Sequence, residues 1–152
     1  MVKCQSSEMR NGHVRQSEPG VYEVAGDDVR LTYHPRLVEL SDGTRLVHES
    51  QGGTLSSVWA GDLGDLYVEV VHLGDGPVGG ELVAVIPDDE TVLLGDLYSP
   101  DLPASVPRAW PEAVDLALGL TSATTIILST VGPVERDELE AFHQRLLGVM
   151  HG

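Results

Sequence analysis

The sequence predicts an α/β (α+β) fold that is mostly β in its N-terminal half and ends in two helices. Short segments of alternating apolar and polar residues, with Gly and Asp at the turns between them, run from position 20 to position 49. Beyond position 107 the apolar residues recur at helical spacing instead. The chain has 152 residues, the size of one domain, and we expect a flexible arm over 1–19 and a single domain over 20–152.

Two hairpins open the predicted domain, each marked by a short turn of Gly, Asp or Ser. Their strands are Gly20–Ala25 with Val29–His34, and Leu37–Leu40 with Thr44–Glu49. The segment 51–64 that follows is rich in Gly and Ser, and it predicts a loop that Trp59 anchors to the core.

Three further strands are predicted in the middle of the chain. They are Tyr67–His72, Glu81–Ile86 and Val92–Leu94, separated by a glycine-rich loop (Gly74–Gly80) and an acidic turn (Pro87–Glu90). The segment 98–107 contains three prolines, which predict irregular structure.

Two helices are predicted to close the chain around one strand. The first covers Arg108–Leu120 and has Pro111 in its first turn, where the missing N–H costs little. The strand covers Thr124–Leu128, which is apolar and rich in β-branched residues. The last helix is predicted to be capped by Asp137, with Glu140 completing a capping box three residues later.

The loop after the first middle strand reads H-L-G-D-G-P-V-G-G-E over His72–Glu81, and the third middle strand ends on Gly95-Asp96. This pattern resembles the second half of the metallo-β-lactamase fold hydrolases. In that family the matching loop reads roughly H-L-G-P-x-H-T-x-G-D, and a later G-D bridges two metals. Pro77 falls on the position of the ligand histidine, and proline has no side-chain donor atom for a cation.

The resemblance extends to the C-terminus. Members of the family have, after the G-D, a helix, a buried strand ending in P-G-H-G-P and a final helix with an acidic start. Here Gly132-Pro133 keep the G-P, while Val131 stands at the histidine position. The family's strongest motif, H-x-H-x-D-H, is absent, and the chain is short for the fold. The resemblance therefore implies a partial αββα sandwich that has lost most of its metal ligands.

The surviving ligand position is Asp96. A hydrolytic zinc site needs several His and carboxylate ligands, so one carboxylate is not enough. We interpret Asp96 as a structural acceptor of backbone N–H groups, and we expect no catalytic residue, no cofactor and no resident metal. The implied function is binding or protein interaction by a pseudoenzyme. The alternative is a metal-dependent hydrolase with an atypical or subunit-shared zinc site built on His72, Asp75 and Asp96, and a remnant without present activity is a third interpretation.

The net charge of −15 disfavours two classes of partner. Eleven Asp and Glu but no Lys or Arg lie between Arg45 and Arg108, a balance that repels nucleic acid and anionic membranes. The N-terminus lacks the apolar stretch of a secretory signal, and no apolar run reaches the roughly 18 residues of a membrane span. Cys4 is a single thiol, so we expect a cytoplasmic protein without disulfides.

Association with a second copy is expected from the strands themselves. Val70-Val71, Leu82–Ile86 and Thr125–Leu128 are apolar on both faces, so each face needs a covering layer. If half of the sandwich is lost, a two-fold homodimer supplies that layer. The other solution is a monomer in which the 51–64 loop and Trp59 fold over the sheet. A small-molecule or protein partner is also expected, and the sequence does not identify it.

Overall fold

The computed structural model describes residues 13–18, 20–34, 37–47, 56–72, 82–100, 106 and 109–151. These residues form two β-sheets and two α-helices, so the predicted mixed fold, mostly β with two C-terminal helices, is confirmed. Several features of the sequence analysis lie outside the described residues, among them Cys4 and the glycine loop Gly74–Gly80, which contains Asp75 and Pro77.

The N-terminal sheet is an antiparallel meander of five strands in chain order. Its two predicted hairpins are confirmed, and its faces alternate as the sequence pattern requires. The Val24–Leu31 pair is buried, whereas the neighbouring Glu23–Thr32 pair lies on the outer face. The strands are β1 (Val14–Glu18), β2 (Val21–Ala25), β3 (Arg30–His34), β4 (Leu37–Leu40) and β5 (Arg45–Val47).

The central sheet has six strands in the order β11-β10-β9-β8-β7-β6. They are β6 (Ser56–Asp62), β7 (Tyr67–His72), β8 (Leu82–Ile86), β9 (Thr91–Gly95), β10 (Ile126–Ser129) and β11 (Gly132–Val134). Only β9 and β10 pair in parallel, and helix α1 (Ala109–Gly119) connects them. Helix α2 (Arg136–His151) is the last described element. Within the described residues, no helix is long and apolar enough to cross a membrane.

The central sheet is buried on both faces. One face packs on the N-terminal sheet, where Val70, Ala84 and Leu93 meet inward residues of the meander. The other face packs on the helices, where Val71 and Val83 meet a cluster that includes Trp110 and Phe142 of the helices. The molecule therefore has three layers, namely the N-terminal sheet, the central sheet and the helices. The strands whose two apolar faces led us to expect a dimer are covered within one chain.

Two predictions about strands were wrong. Residues 14–18, which we assigned to the arm, form β1, and only Val14 of that strand is buried. The segment 51–64 is not a loop throughout, because Ser56–Asp62 forms β6 and pairs with β7. Trp59 nevertheless packs on the inter-sheet core, as predicted. Both strands lie at the edge of a sheet, where few side chains are buried and the apolar pattern is therefore faint.

The predicted cap of the last helix is displaced by two residues. Helix α2 begins at Arg136, and the amide of Glu135 donates to the carboxylate of Glu138 at 2.8 Å. Glu138 therefore makes the capping-box contact to the amide at the start of the helix, a role that we had placed at Glu140 with Asp137 as the cap. Both pairs have the same spacing, so the spacing alone does not decide between them.

Candidate functional site

The candidate site lies at the edge of the central sheet where β7, β9 and β10 end, which we call the carboxyl edge. Strands β7 and β9 both run antiparallel to β8, so they share a direction and end at the same edge. His72 is the last residue of β7, and Asp96 directly follows β9. The structure therefore brings these two predicted residues to one edge, while the third, Asp75, is outside the described residues.

The spacing between the two residues follows from the register. His72 pairs with Leu82 of β8, and continuing the β8–β9 register places Leu82 opposite Gly95. Neighbouring strands are about 4.8 Å apart, so the backbones of His72 and Gly95 are separated by roughly 10 Å. Two ligands of one metal can be that far apart at their backbones, because an imidazole and a carboxylate reach toward each other.

The orientation of His72 does not suit a shared ligand set. Its side chain is 2% exposed and lies on the inter-sheet face of β7, two residues after Val70 and opposite Leu82, which both belong to the inter-sheet core. A histidine buried in this way belongs to the core, whereas a hydrolytic metal must keep one coordination position open to water.

Asp96 is held by the neighbouring strand. The hydroxyl of Thr130 donates to Asp96 Oδ1 at 2.7 Å, and the amide of Thr130 donates to the carbonyl of Gly95 at 3.2 Å. Gly95 has φ +65°, which turns the chain out of β9 and aims Asp96 toward Thr130. Asp96 is therefore a hydrogen-bond acceptor, but the donor that the structure describes is a side-chain hydroxyl and not the backbone amide that we predicted.

The turn between β10 and β11 completes the carboxyl edge. Ser129 Oγ donates to the carbonyl of Gly132 at 2.9 Å and accepts from the amide of Val131 at 3.2 Å, while Gly132 has φ +109°. Val131, which the resemblance places at a histidine position, is 61% exposed. The backbone at this position therefore points a side chain to solvent, and the side chain is apolar.

The N-terminal sheet closes the carboxyl edge through two buried tyrosines. Tyr22 donates its hydroxyl to the carbonyl of Ser129 at 2.8 Å, and Tyr33 donates to the carbonyl of Leu82 at 2.6 Å. The two tyrosines are cross-strand partners in β2 and β3. Burial raises the pKa of Tyr22, so its hydroxyl stays protonated and remains a donor at physiological pH.

Sequence reasoning missed Tyr22, Tyr33 and Thr130. A signal for the tyrosines was present, because both stand at inward positions of alternating strands and a buried tyrosine hydroxyl usually has a hydrogen-bond partner. Their acceptors are backbone carbonyls far along the chain, 107 positions away for Tyr22, and no local pattern identifies them.

Among the described residues, no three His, Cys, Asp or Glu side chains are placed to hold a metal ion. His72 and Asp96 alone do not make the ligand set of a hydrolytic zinc. In comparisons with known proteins, no family model and no curated protein matches this chain.

Proposed function

We propose that this chain is a non-catalytic, pseudoenzyme-like protein on a metallo-β-lactamase-like scaffold, which acts by binding a small molecule or a protein. The order of elements supports the scaffold. After Gly95-Asp96 come α1, the strand β10, the G-P of Gly132-Pro133 and a final helix with acidic residues in its first turn. The three layers correspond to an αββα sandwich without its first helical layer.

The observation that carries the proposal is the hydrogen bond between Thr130 and Asp96. A hydroxyl at 2.7 Å from a carboxylate oxygen is a charge-assisted hydrogen bond, which is stronger than one between neutral groups. This bond connects the end of β9 to the turn after β10 and uses the carboxylate that the family gives to its metals. Asp96 thus serves the fold at the place where the family has its catalytic chemistry.

A double-mutant cycle tests this role of Asp96. We expect Asp96→Ala and Thr130→Val each to lower the free energy of unfolding by about 1–2 kcal/mol, since each removes one partner of the bond. The double variant should lose clearly less than the sum, because the two residues share one interaction. Asp88→Ala, at an exposed carboxylate of the acidic turn, is the control and should change stability by less than about 0.5 kcal/mol. Strict additivity of the two changes contradicts the structural role.

Metal content tests the non-catalytic character separately. Untagged protein dialysed against a mild chelator should contain zinc, iron and manganese well below one ion per chain, and the chelator should leave the melting temperature unchanged. Elemental analysis and thermal unfolding give these two results.

The alternative function is a metal-dependent hydrolase with a site built on His72, Asp75 and Asp96. The observation in its favour is that β7 and β9 bring His72 and Asp96 to the same edge. It predicts stoichiometric zinc that is lost in His72→Ala and Asp96→Ala but kept in Thr130→Val. That pattern, together with zinc-dependent hydrolysis of an activated ester by the wild-type protein, would replace the non-catalytic proposal.

A further inference from the structure

The opposite end of the sandwich is acidic and contains one histidine at its centre. Asp89 lies in the turn just before β9, whereas Asp96 lies just after β9. The turn that contains Asp89 is therefore at the opposite end of the central sheet from the candidate site. The turns that converge here carry the carboxylates Asp27, Asp28, Asp62, Asp65, Asp88, Asp89 and Glu90. His13, which immediately precedes β1, reaches into this group.

His13 faces carboxylates with both of its ring nitrogens. Nδ1 lies 3.0 and 3.1 Å from the two oxygens of Asp89, and Nε2 lies 3.5 Å from Oδ2 of Asp65. A neutral imidazole has one N–H and donates to only one of these groups, whereas an imidazolium has two N–H groups and a charge that attracts both. The geometry is therefore matched to the protonated form.

The contacts of His13 join separate parts of the fold. Asp65 belongs to the turn between β6 and β7, and its other oxygen accepts the amide of Asp27 in the turn between β2 and β3 at 2.8 Å. Asp89 belongs to the turn between β8 and β9, and its side chain is only 7% exposed. His13 thus connects the start of β1 to two turns of the central sheet.

Strand β1 has few other attachments. It is an edge strand of the N-terminal sheet, it pairs with β2, and Val14 is its one buried residue. The carbonyl of His13 also accepts the amide of Ala25 at 2.9 Å, which extends the ladder by one bond. A strand with so little buried apolar surface lies at the low-stability end of a fold and opens locally.

We propose that His13 is a pH-dependent clasp, which holds β1 against the acidic end of the central sheet when it is protonated and lets β1 detach when it is neutral.

Burial lowers the pKa of His13, but the charge and hydrogen bonds of Asp89 and Asp65 raise it more, so the net pKa lies above the ordinary 6.5. Because the folded pKa is the higher one, the stabilisation is complete below about pH 6.5 and is lost as the pH rises through the folded pKa. The charged groups that face the His13 ring are Asp65 and Asp89. The amide of Asp27 donates to Asp65, and on β1 itself the charge of Arg15 is paired with Glu23 of β2.

Amide hydrogen exchange followed by NMR tests the clasp. The measured quantities are the protection factors of the amides that pair β1 with β2, corrected for the intrinsic pH dependence of exchange. They are measured at about pH 5.5 and about pH 8.5, which lie on either side of the ordinary histidine pKa. In the wild-type protein we expect these factors to fall with rising pH, by about tenfold for each unit by which the folded pKa exceeds the unfolded one. In His13→Gln they should be low at both pH values. His143→Gln, at a half-buried histidine of α2, is the control and should follow the wild type.

A second variant keeps the test decisive if His13→Gln does not fold. Asp89→Asn removes the nearest charge with little change of shape, so it should lower the pKa of His13, read from the NMR titration of its ring protons. The loss of β1 protection should then move to lower pH by the same amount. Equal protection in wild type and His13→Gln at about pH 5.5 overturns the proposal. So does a pH-dependent loss that is as large in α1 and α2 as in β1, because the opening is then global.

Discussion

Single residues set how closely the two sheets approach. Gly26 lies in the turn between β2 and β3, and a Cβ built on it would lie 2.3 Å from both the Cβ and the carbonyl oxygen of Leu63. That carbonyl accepts the amides of Asp28 and Val29 at 2.9 and 3.2 Å, so it is fixed in place. The turn of the N-terminal sheet is thus in direct backbone contact with the central sheet, and only glycine fits there.

Gly26→Ala should therefore be strongly destabilising. The added methyl group meets backbone atoms, which cannot rotate away, and overpacking of this kind costs about 3 kcal/mol. Gly148→Ala is the matched control, because Gly148 lies inside α2 with open space around it and alanine favours a helix by up to about 1 kcal/mol. Urea unfolding of both variants measures the difference. Wild-type stability of Gly26→Ala would show that the two turns do not touch as described.

Residues of the candidate site could be predicted only in part. His72 and Asp96 were singled out because the apolar pattern places each at the end of a strand, and the structure does bring those ends to one edge. Thr130 and His13 were not found as partners of Asp96 and Asp89. Those contacts join residues 34 and 76 positions apart, and nothing in a local pattern specifies such a distance.

Among the elements, most strands were predicted from their apolar pattern, including the edge strand β5, whereas the edge strands β1, β6 and β11 were not. In β6 the indole of Trp59 lies over Gly61, because a Cβ built on Gly61 would lie 2.6 Å from it. Trp59 therefore covers the glycine two positions away and protects the backbone of this edge, much as aromatic side chains rescue glycines in edge strands. The Gly and Ser content of this segment indicated a loop, but it is compatible with a strand because the indole of Trp59 packs over Gly61.

The start of α2 provides a test at the level of an element. Because Glu138 accepts the amide of Glu135, Glu138→Ala should lower the free energy of unfolding by about 0.5–1 kcal/mol and expose the Glu135 amide to exchange. Glu140→Ala removes only an ion pair with Arg136 on the helix surface, worth about 0.3–0.5 kcal/mol, and should leave the Glu135 amide protected. If Glu138→Ala leaves the Glu135 amide protected while Glu140→Ala exposes the amide of Asp137, the capping box lies where the sequence pattern first indicated.

At the scale of the whole molecule, the three layers change the surface that a homodimer would use. Both faces of the central sheet are covered, so within the described residues the outer face of the N-terminal sheet is the sheet surface without a layer on it. That face is charged, with the pairs Arg15–Glu23 at 2.7 Å and Arg45–Glu39 at 3.0 Å. The apolar face on which the dimer prediction depended is therefore covered within one chain.

The sequence-based prediction was a two-fold dimer through an apolar sheet face; we now predict that a two-fold dimer would instead use this charged face and would depend on salt. In such a dimer, Arg side chains of one copy would face Glu side chains of the other. Salt screens these pairs, because the Debye length falls from about 10 Å at 0.1 M salt to about 3 Å at 1 M. Sedimentation equilibrium at micromolar concentration should therefore give a mass above 16.3 kDa at low salt, which falls toward 16.3 kDa at high salt. Arg45→Glu should weaken the association because it breaks the complementarity, while Arg145→Glu on α2 should not. An apolar interface would instead persist in salt, and a mass of 16.3 kDa under every condition would exclude the dimer.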